Sequence, residues 1–330
     1  MDKKSNIIKD INLNRIRKAL KEIGVATKPQ LSEVTGLSVV TVNSLIKTLI
    51  NNGEIITDEM VSSEGGRPAL SYRFNSFFRM ALTINMQEYK GKDTAFYCVI
   101  NLRGEVVERK EQILYDVNLE SFDLYIEDLL NRYPTIQVIY FGIPGEEVKQ
   151  RLVICDYEKL RDQSLSGYIS DQFHIPVICE NDINAAINGY CYKNEIRKDQ
   201  CVVGLYFPEK YPPGAGVYLD NHIYKGRDGL VGEIKYLPLG INWDTFDFDP
   251  EKVQDIIVKT VQMFQCLYNP NKIILYGDGV KSNIKELLEN RCRSKVEKMM
   301  VTDIILSNEL HLDFEEGINA IALDYIDTVR

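Results

Sequence analysis

The chain has 330 residues, of which 45% are hydrophobic and 26% are charged, a composition typical of a soluble globular protein. Its length predicts about two or three domains. Since no apolar run approaches the ~18 residues of a membrane span, we expect a cytoplasmic protein without a membrane partner. The seven scattered cysteines include no CxxC pair, which argues against a zinc site and against a disulfide framework.

The net charge of −9 is unevenly distributed. Residues 1–79 carry 12 Lys and Arg against 8 Asp and Glu, a net of +4, whereas the other 251 residues carry 27 against 40, a net of −13. A basic N-terminal module on an acidic protein indicates nucleic-acid contact confined to that module. The alternative is a chance excess of four charges.

Three short helices are predicted before residue 54. Apolar residues at helical spacing predict the first over about 12–23, with Gly24 ending it. Thr27-Lys-Pro-Gln30 is a capping-box pattern that opens a second helix, and a third runs to Asn52-Gly53. The predicted buried stripes are Leu13, Ile16, Leu20 and Ile23 in the first helix and Val42, Leu45, Ile46 and Leu49 in the third.

The third helix leaves small polar and apolar side chains facing outward. Two helices joined by a tight glycine-containing turn match a helix-turn-helix that reads the major groove of DNA. Amides and hydroxyls can pair with base edges, and valine can contact a thymine methyl group. A plain three-helix packing unit is the alternative. The candidate DNA-binding residues on this helix are Ser38, Val39, Val40, Thr41, Asn43, Ser44 and Lys47.

The next stretch predicts a hairpin. The segments EIITD and ALSYRFN read as two strands, and the loop between them ends in Glu64-Gly-Gly-Arg-Pro68. A Gly-Gly-Arg tip can enter a minor groove or bind phosphate, so Arg67 joins the candidate DNA-binding residues. The helices and hairpin together predict a winged helix over residues 1–75.

From residue 80 onward the pattern changes. Two three-strand meanders are predicted, one over about 80–114 and one over about 201–226, and each is followed by helices and further strands. This repetition suggests a duplicated α/β architecture with a cleft between two lobes. We expect the lobes at 76–185 and 186–314, with a C-terminal helix of about 315–330 packing back on the first lobe.

These motifs resemble those of the ROK family, which comprises repressors, open reading frames and sugar kinases, in its DNA-binding repressor branch. The resemblance runs from about residue 10 to 328. It rests on the winged-helix motifs and on FGIPG (141–145), PVICENDINAAINGY (176–190), GAGVYLDNHIYKGRDGLVGEI (214–234) and NPNKIILYGDGV (269–280). It implies an actin-like ATPase (ribonuclease H-like, sugar-kinase-like) fold for the body.

The resemblance places Asp182 at the position of the family's catalytic base, but the phosphate-binding turns differ. The first meander reads Ile84–Tyr89 in place of a Gly-Gly-Thr-like turn, and the second turn reads Lys210-Tyr-Pro-Pro-Gly214. Proline lacks the N–H group that would bind a nucleotide phosphate. We therefore expect no enzyme activity, no catalytic residues and no cofactor.

The family's zinc motif is also missing. Gly232-Glu-Ile-Lys-Tyr236 stands where Gly-Glu-Ile-Gly-His would be, and no cysteine-rich run follows. We expect no metal site. Tyr236 and Trp243 could stack on a sugar, but we interpret both as core aromatics.

Polar groups that pair with vicinal hydroxyls predict an effector site. Its candidate residues are Gly145, Asn181, Asp182 and Glu233, although Asn181-Asp182 also forms the N-cap of a helix. The expected partners are an operator in double-stranded DNA, a sugar or sugar-phosphate effector and a second copy of the chain, as a homodimer or larger homo-oligomer. The predicted function is a transcriptional regulator of carbohydrate metabolism, most simply a repressor. The alternatives are a sugar kinase with an appended DNA-binding domain and a regulator whose body only dimerises.

Overall fold

A computed structural model describes residues 3–61, 69–208, 211–277, 280, 282–291 and 302–328. The chain divides into two compact units, one formed by Met1–Met80 and Asn101–Glu105 and the other by Ala81–Ile100 and Val106–Arg330. The finer division of the body at residues 185 and 314 stays a prediction. No single described helix is long and apolar enough to cross a membrane.

The described helices are α1 (Lys3–Ile23), α2 (Lys28–Thr35), α3 (Val39–Asn51), α4 (Asp123–Arg132), α5 (Leu165–Phe173), α6 (Asp182–Lys193), α7 (Pro250–Tyr268), α8 (Ile284–Arg291) and α9 (Leu310–Thr328). The described strands are β1 (Val25–Thr27), β2 (Ile55–Val61), β3 (Ala69–Phe74), β4 (Met80–Tyr89), β5 (Lys92–Asn101), β6 (Val106–Ile113), β7 (Ile136–Ile143), β8 (Gly145–Val148), β9 (Arg151–Cys155), β10 (Val177–Asn181), β11 (Val202–Tyr206), β12 (Gly214–Leu219), β13 (His222–Ile223), β14 (Lys272–Tyr276) and β15 (Asp303–Ser307).

The first unit packs α1, α2 and α3 with an antiparallel sheet in the order β1-β3-β2. The predicted stripe of α3 is fully confirmed, since Val42, Leu45, Ile46 and Leu49 are all buried. The start of α2 is also as predicted, because the backbone N–H of Thr27 donates to Gln30 Oε1 at 2.8 Å. Three helices followed by a two-strand hairpin form a winged helix-turn-helix.

Two details of the first unit differ from the prediction. Helix α1 begins at Lys3 rather than near residue 12, because its N-terminal turns carry no proline or glycine to stop it. Ile23 is 45% exposed and does not belong to the buried stripe, since it lies at the end of α1, just before Gly24 leaves the helix at φ 86°. The short strand β1 follows and pairs with β3.

An ion pair joins α1 to the turn after α3. Arg17 donates through Nε and Nη2 to the two carboxylate oxygens of Glu54, at 2.5 and 2.9 Å, and Asn52 Nδ2 donates to the same carboxylate at 2.9 Å. Glu54 is only 7% exposed. Burial acts to raise the pKa of Glu54, but these hydrogen bonds outweigh it and lower the pKa. A charge so deeply buried requires its partner.

The second unit contains two five-stranded sheets, in the orders β10-β7-β4-β5-β6 and β13-β12-β11-β14-β15. Both predicted meanders are present. Helices α6 and α9 are in close contact: a Cβ atom at Gly189 would lie 1.9 Å from the carbonyl oxygen of Asp313. Helix α6 also packs on β11 and β12, whereas α9 packs on β7. The start of α6 therefore lies where the two sheets approach each other.

Candidate nucleic-acid interface and ligand cleft

The outward side of α3 exposes apolar as well as polar side chains to solvent. Val39 is 51% exposed and Val40 is 80% exposed, and Ser44 and Lys47 are also exposed, while Asn43 is half-buried. We call these five residues the recognition face. Helices α2 and α3 meet at a bend of 110°, within the ≈ 90–120° range of helix-turn-helix pairs. This geometry leaves the recognition face free to enter a groove of DNA.

The side chains of Ser38 and Thr41 form hydrogen bonds at the start of α3. The Ser38 Oγ accepts a hydrogen bond from the Thr41 backbone N–H at 3.2 Å, and the two hydroxyls lie 2.9 Å apart. Ser38 is therefore the N-cap of α3, as predicted. Both hydroxyls are engaged locally, so any contact of theirs with DNA is an additional one.

Lys28, at the start of α2, orients Asn43. Its ammonium donates to Asn43 Oδ1 at 2.6 Å and lies 5.6 Å from the centre of the buried Tyr72 ring. Because an ammonium can only donate, the oxygen of the Asn43 amide must face it, which leaves the amide's NH₂ group as the outward donor. Sequence reasoning missed Lys28, since it lies 15 positions before Asn43 and on another helix. Arg67, the predicted residue of the hairpin tip, lies outside the described residues.

All four predicted effector residues line one cleft of the second unit, with a cavity volume of 610 Å³. The ligand cleft lies beyond the carboxyl ends of the parallel strands β7 and β10, where Ile143 pairs with Asn181. Open α/β sheets commonly bind ligands at this edge, and the volume falls within the ≈ 300–1,000 Å³ of small-molecule sites.

Asn181 links the helix start to the neighbouring loop. Its Oδ1 accepts from the Asn184 backbone N–H at 3.1 Å, and its Nδ2 donates to the Gly145 carbonyl at 3.2 Å. Asn181 alone is therefore the side-chain N-cap, which corrects the expectation of a cap formed jointly with Asp182. Asp182 is the first residue of α6 and accepts from the Ile183 N–H at 2.8 Å. Its carboxylate is thus available to the cleft.

Burial and neighbouring carboxylates raise the pKa of acidic residues in the ligand cleft. Burial raises the pKa of Asp182 to about 7, with Asp156 and Glu233 adding to the effect. Burial likewise raises the pKa of Glu233, with Asp156 contributing and Lys235 opposing. The Lys235 ammonium lies 3.8 Å from Glu233 Oε2. These groups carry more negative charge than nearby cations neutralise.

Sequence reasoning missed four acidic residues of the cleft lining, among them Asp156 and Glu146. Asp156 follows strand β9, and desolvation by the surrounding walls, with help from Asp93, raises its pKa. Glu146 is only 8% exposed, and burial raises its pKa to about 8. Glu146 follows directly on the FGIPG motif, so its position beside Gly145 was the available signal. Nothing in the local sequence around Asp156 marks it, because β9 reaches the cleft only through the β8–β9 hairpin.

Residues of both altered phosphate turns line the cleft. The first stretch, Ile84–Tyr89, belongs to strand β4 rather than to a turn, and only its Gln87 and Glu88 line the cleft. This corrects its interpretation as a turn; Lys90 and Gly91, both at positive φ, form the turn. In the second altered phosphate turn, the residues that line the cleft include Tyr211, Pro212 and Pro213.

The two aromatic residues predicted to lie in the core, Tyr236 and Trp243, differ in their burial. Tyr236 is 72% exposed, so the prediction is wrong for that residue: the short helical turn Ile234–Tyr236 buries Ile234 instead. Trp243 is partly buried against the apolar core, as predicted, and its Nε1 donates to the Lys235 carbonyl at 3.1 Å. Among the residues that the structure describes, no group of three or more His, Cys, Asp or Glu side chains is placed to hold a metal ion.

Comparison with known sequences gives consistent matches. Residues 90–245 match the model of the ROK family. The chain is 23% identical to the xylose repressor of Bacillus spizizenii over 280 residues, which cover 82% of this chain and 71% of the repressor. It is 21% identical over 246 residues to NagC of Escherichia coli, a DNA-binding transcriptional dual regulator, which covers 71% of this chain and 60% of NagC.

Comparison with solved structures shows the fold. A ROK family transcriptional regulator, a homologue of the E. coli MLC protein, superimposes with a TM-score of 0.60 at 16% identity, covering 96% of this chain and 97% of that one. The ROK hexokinase of Thermus thermophilus gives a TM-score of 0.56 at 14% identity, covering 76% of this chain and 99% of that one. These similarities confirm the predicted sugar-kinase-like, actin-like body. The chain therefore resembles the ROK family, whose model matches residues 90–245.

Proposed function

We propose that this protein is a sequence-specific DNA-binding transcriptional repressor whose body binds a small carbohydrate effector without phosphorylating it. The observation that carries the proposal is the union, in one chain, of a winged helix with an exposed recognition face and a sugar-kinase-like body with a ligand-sized cleft. Similarity to proteins named xylose repressor and N-acetylglucosamine repressor supports the same conclusion.

The chemistry of the recognition face supports DNA as its partner. Val39 and Val40 are adjacent and both exposed, and a thymine methyl is a suitable apolar partner for them. The Asn43 NH₂ group can donate to purine N7 or O6 atoms, and Lys47 can contact phosphate. We propose that Arg67 adds a minor-groove or phosphate contact.

The ligand cleft supports a polyhydroxyl effector. Asp182 and Glu233 offer carboxylate oxygens to vicinal hydroxyl groups, and Gly145, whose carbonyl accepts from Asn181, lines the same cleft. A ligand that binds more tightly to one conformation of the protein shifts the population toward it, and the effect on DNA affinity is bounded by that difference. We propose that a homodimer couples two such clefts to two winged helices on one operator.

One observation favours a sugar kinase instead. Asp182, at the position of the family's base, has a pKa of about 7, and a general base works best near the operating pH. Against this, Pro212 and Pro213 occupy the second phosphate turn and supply no N–H donor. The negative charge of the cleft also disfavours an anionic nucleotide.

The test measures DNA binding and catalysis on the same preparation. Duplexes enriched from a random library should bind the protein far more tightly than bulk DNA, and a panel of sugars should release them. A coupled assay with ATP should detect no sugar phosphorylation. Turnover that disappears in Asp182→Asn would restore the kinase, and enriched duplexes that bind no tighter than random ones would exclude the repressor.

A further inference from the structure

The ligand cleft has more acidic side chains than the binding of a neutral sugar requires. Six acidic side chains line it (Glu88, Asp93, Glu146, Asp156, Asp182 and Glu233), against two lysines (Lys90 and Lys235), so acidic groups outnumber basic ones by four. Uncompensated charges held close together in a partly dry site repel one another and stabilise any cation that enters.

Glu146 independently indicates that the cleft binds a ligand with a hydrogen-bond donor. It is more than nine-tenths buried and lines the cleft beneath Gly229, where a Cβ atom would lie 2.4 Å from the Glu146 Oε1. Only burial and charge–charge effects act on its pKa, and none of them is a hydrogen bond within the described part of the chain. The nearby Lys225 donates to Glu180 instead, at 2.7 Å. The Glu146 carboxyl thus has no donor among the described hydrogen bonds and lines the cleft, where a donor of a ligand can bind it.

The remaining wall of the cleft is unsuited to phosphate. Pro212 and Pro213 have no N–H groups, and Glu88 and Asp93 lie on the side of the β4–β5 turn. Lys235 is close to Glu233, at 3.8 Å, and is therefore partly neutralised. A phosphate ester would add negative charge to a site in which acidic side chains already outnumber lysines by four.

Building on the proposed function, we propose that the effector is an unphosphorylated amino sugar whose free ammonium group binds among Glu146, Asp156 and Glu233, while its hydroxyl groups pair with Asp182 and the Gly145 loop. The ammonium supplies the N–H donors that Glu146 lacks and the positive charge that the cluster lacks. Acetylation of the amine removes that charge, and phosphorylation of the sugar opposes it.

Proton linkage supports the same ligand class. Burial raises the pKa of Asp182 to about 7 and that of Glu146 to about 8, so the empty cleft holds protons near neutral pH. A bound cation lowers these pKa values, and the protein then releases protons on binding. A neutral sugar leaves them in place.

The experiment compares glucosamine, galactosamine and mannosamine with their neutral parents, their N-acetyl forms and their 6-phosphates. Isothermal titration at about pH 6.5, where such amines are charged, measures each affinity, and two buffers of different ionisation enthalpy report proton release. We expect one free amine to bind at least tenfold more tightly than its neutral, acetylated and phosphorylated counterparts, with release of protons, and to dissociate the DNA complex.

Glu146→Gln and Asp156→Asn should each reduce that preference at least tenfold while changing the affinity for the neutral parent less than threefold. Asp156→Asn is the second, independent variant, so a folding defect in Glu146→Gln does not spoil the test. Asp220→Asn, an exposed carboxylate outside the cleft lining, is the matched control and should change nothing.

Different failures have different meanings. If a neutral, acetylated or phosphorylated sugar binds best and releases DNA, the amino-sugar inference is wrong and the proposed repressor stands. If the preference for the amine survives in both variants, the assigned ammonium position is wrong. If no compound in the panel binds, both this inference and the effector role of the cleft fall, while DNA binding by the winged helix is judged separately.

Discussion

The recognition face and the ligand cleft are built in opposite ways. The recognition face takes its five residues from nine consecutive positions of one helix and presents them to solvent. The ligand cleft gathers residues from position 87 to position 314, and its central carboxylates are held where water is scarce. An exposed face depends on local helix geometry, whereas a cleft depends on every strand end that reaches it. Substitutions should therefore act locally in the first region and through mutual charge effects in the second.

The largest effect is expected from Arg17→Met, which leaves Glu54 buried without its cation. Removing one partner of a buried pair costs about 3–5 kcal/mol. Hydrogen exchange of the amides in α1 and β3 should therefore show the first unit destabilised, with little change in the second. The double variant Arg17→Met with Glu54→Leu should recover much of the loss. A loss below about 1 kcal/mol would mean that the pair is not buried as described.

Val40→Glu should abolish specific DNA binding with no loss of stability. A carboxylate on the recognition face would meet phosphates and lose the methyl contact, so we expect about a 100-fold weaker complex, roughly 3 kcal/mol. Fluorescence anisotropy measures it. Leu124→Glu places the same charge on α4, at a side chain that is 79% exposed, and should leave DNA binding unchanged. If Val40→Glu and Leu124→Glu weaken DNA binding equally, the recognition face does not contact DNA.

Asp182→Asn should weaken effector binding by about ten- to a hundredfold, because charge-assisted hydrogen bonds contribute roughly 1.5–3 kcal/mol. The helix cap is preserved, since it is the Asn181 side chain that caps α6. Melting without ligand should not fall at neutral pH, since the neutral amide avoids the cost of the desolvated carboxylate. Unchanged affinity for a ligand that releases DNA would place the effector outside this cleft.

The same variant should alter the pH dependence of stability. The pKa of Asp182 is raised to about 7 in the folded protein, so the folded state holds a proton that the unfolded state has released. The unliganded protein should lose stability as the pH rises from about 4 to about 7, by at most about 1.4 kcal/mol per pH unit from this group. Melting curves of wild type and Asp182→Asn should differ in slope over this range. Parallel curves would show that Asp182 is not desolvated.

The smallest effect is expected from Lys28→Met, which frees the Asn43 amide to rotate. We expect a several-fold loss of discrimination between operator and random DNA, about 1 kcal/mol. The reason is that the Asn43 NH₂ group is no longer held facing outward. Lys18→Met removes the same charge from an exposed position on α1 and serves as the control. If both variants lose specific and random binding alike, Lys28 contributes charge and does not orient Asn43.

The amino-acid sequence by itself determined the local elements of this protein. Helical spacing alone identified the buried stripe of α3, and hence its outward face, because one helix turn sets which side chains share a side. The two meanders also follow from alternation and turn residues, since short-range patterns specify them. Motif resemblance added the body fold and the position of Asp182.

Only the tertiary structure decided the chemistry between distant positions. The contact of Lys28 with Asn43, the ion pair of Arg17 with Glu54 and the mutual influence of Asp156 and Asp182 join residues that no local pattern connects. Tyr236, predicted to be buried, is exposed because its turn buries Ile234 instead. A pKa depends on distance and desolvation in three dimensions, so the charge of the cleft emerges only when separate strand ends meet at one edge.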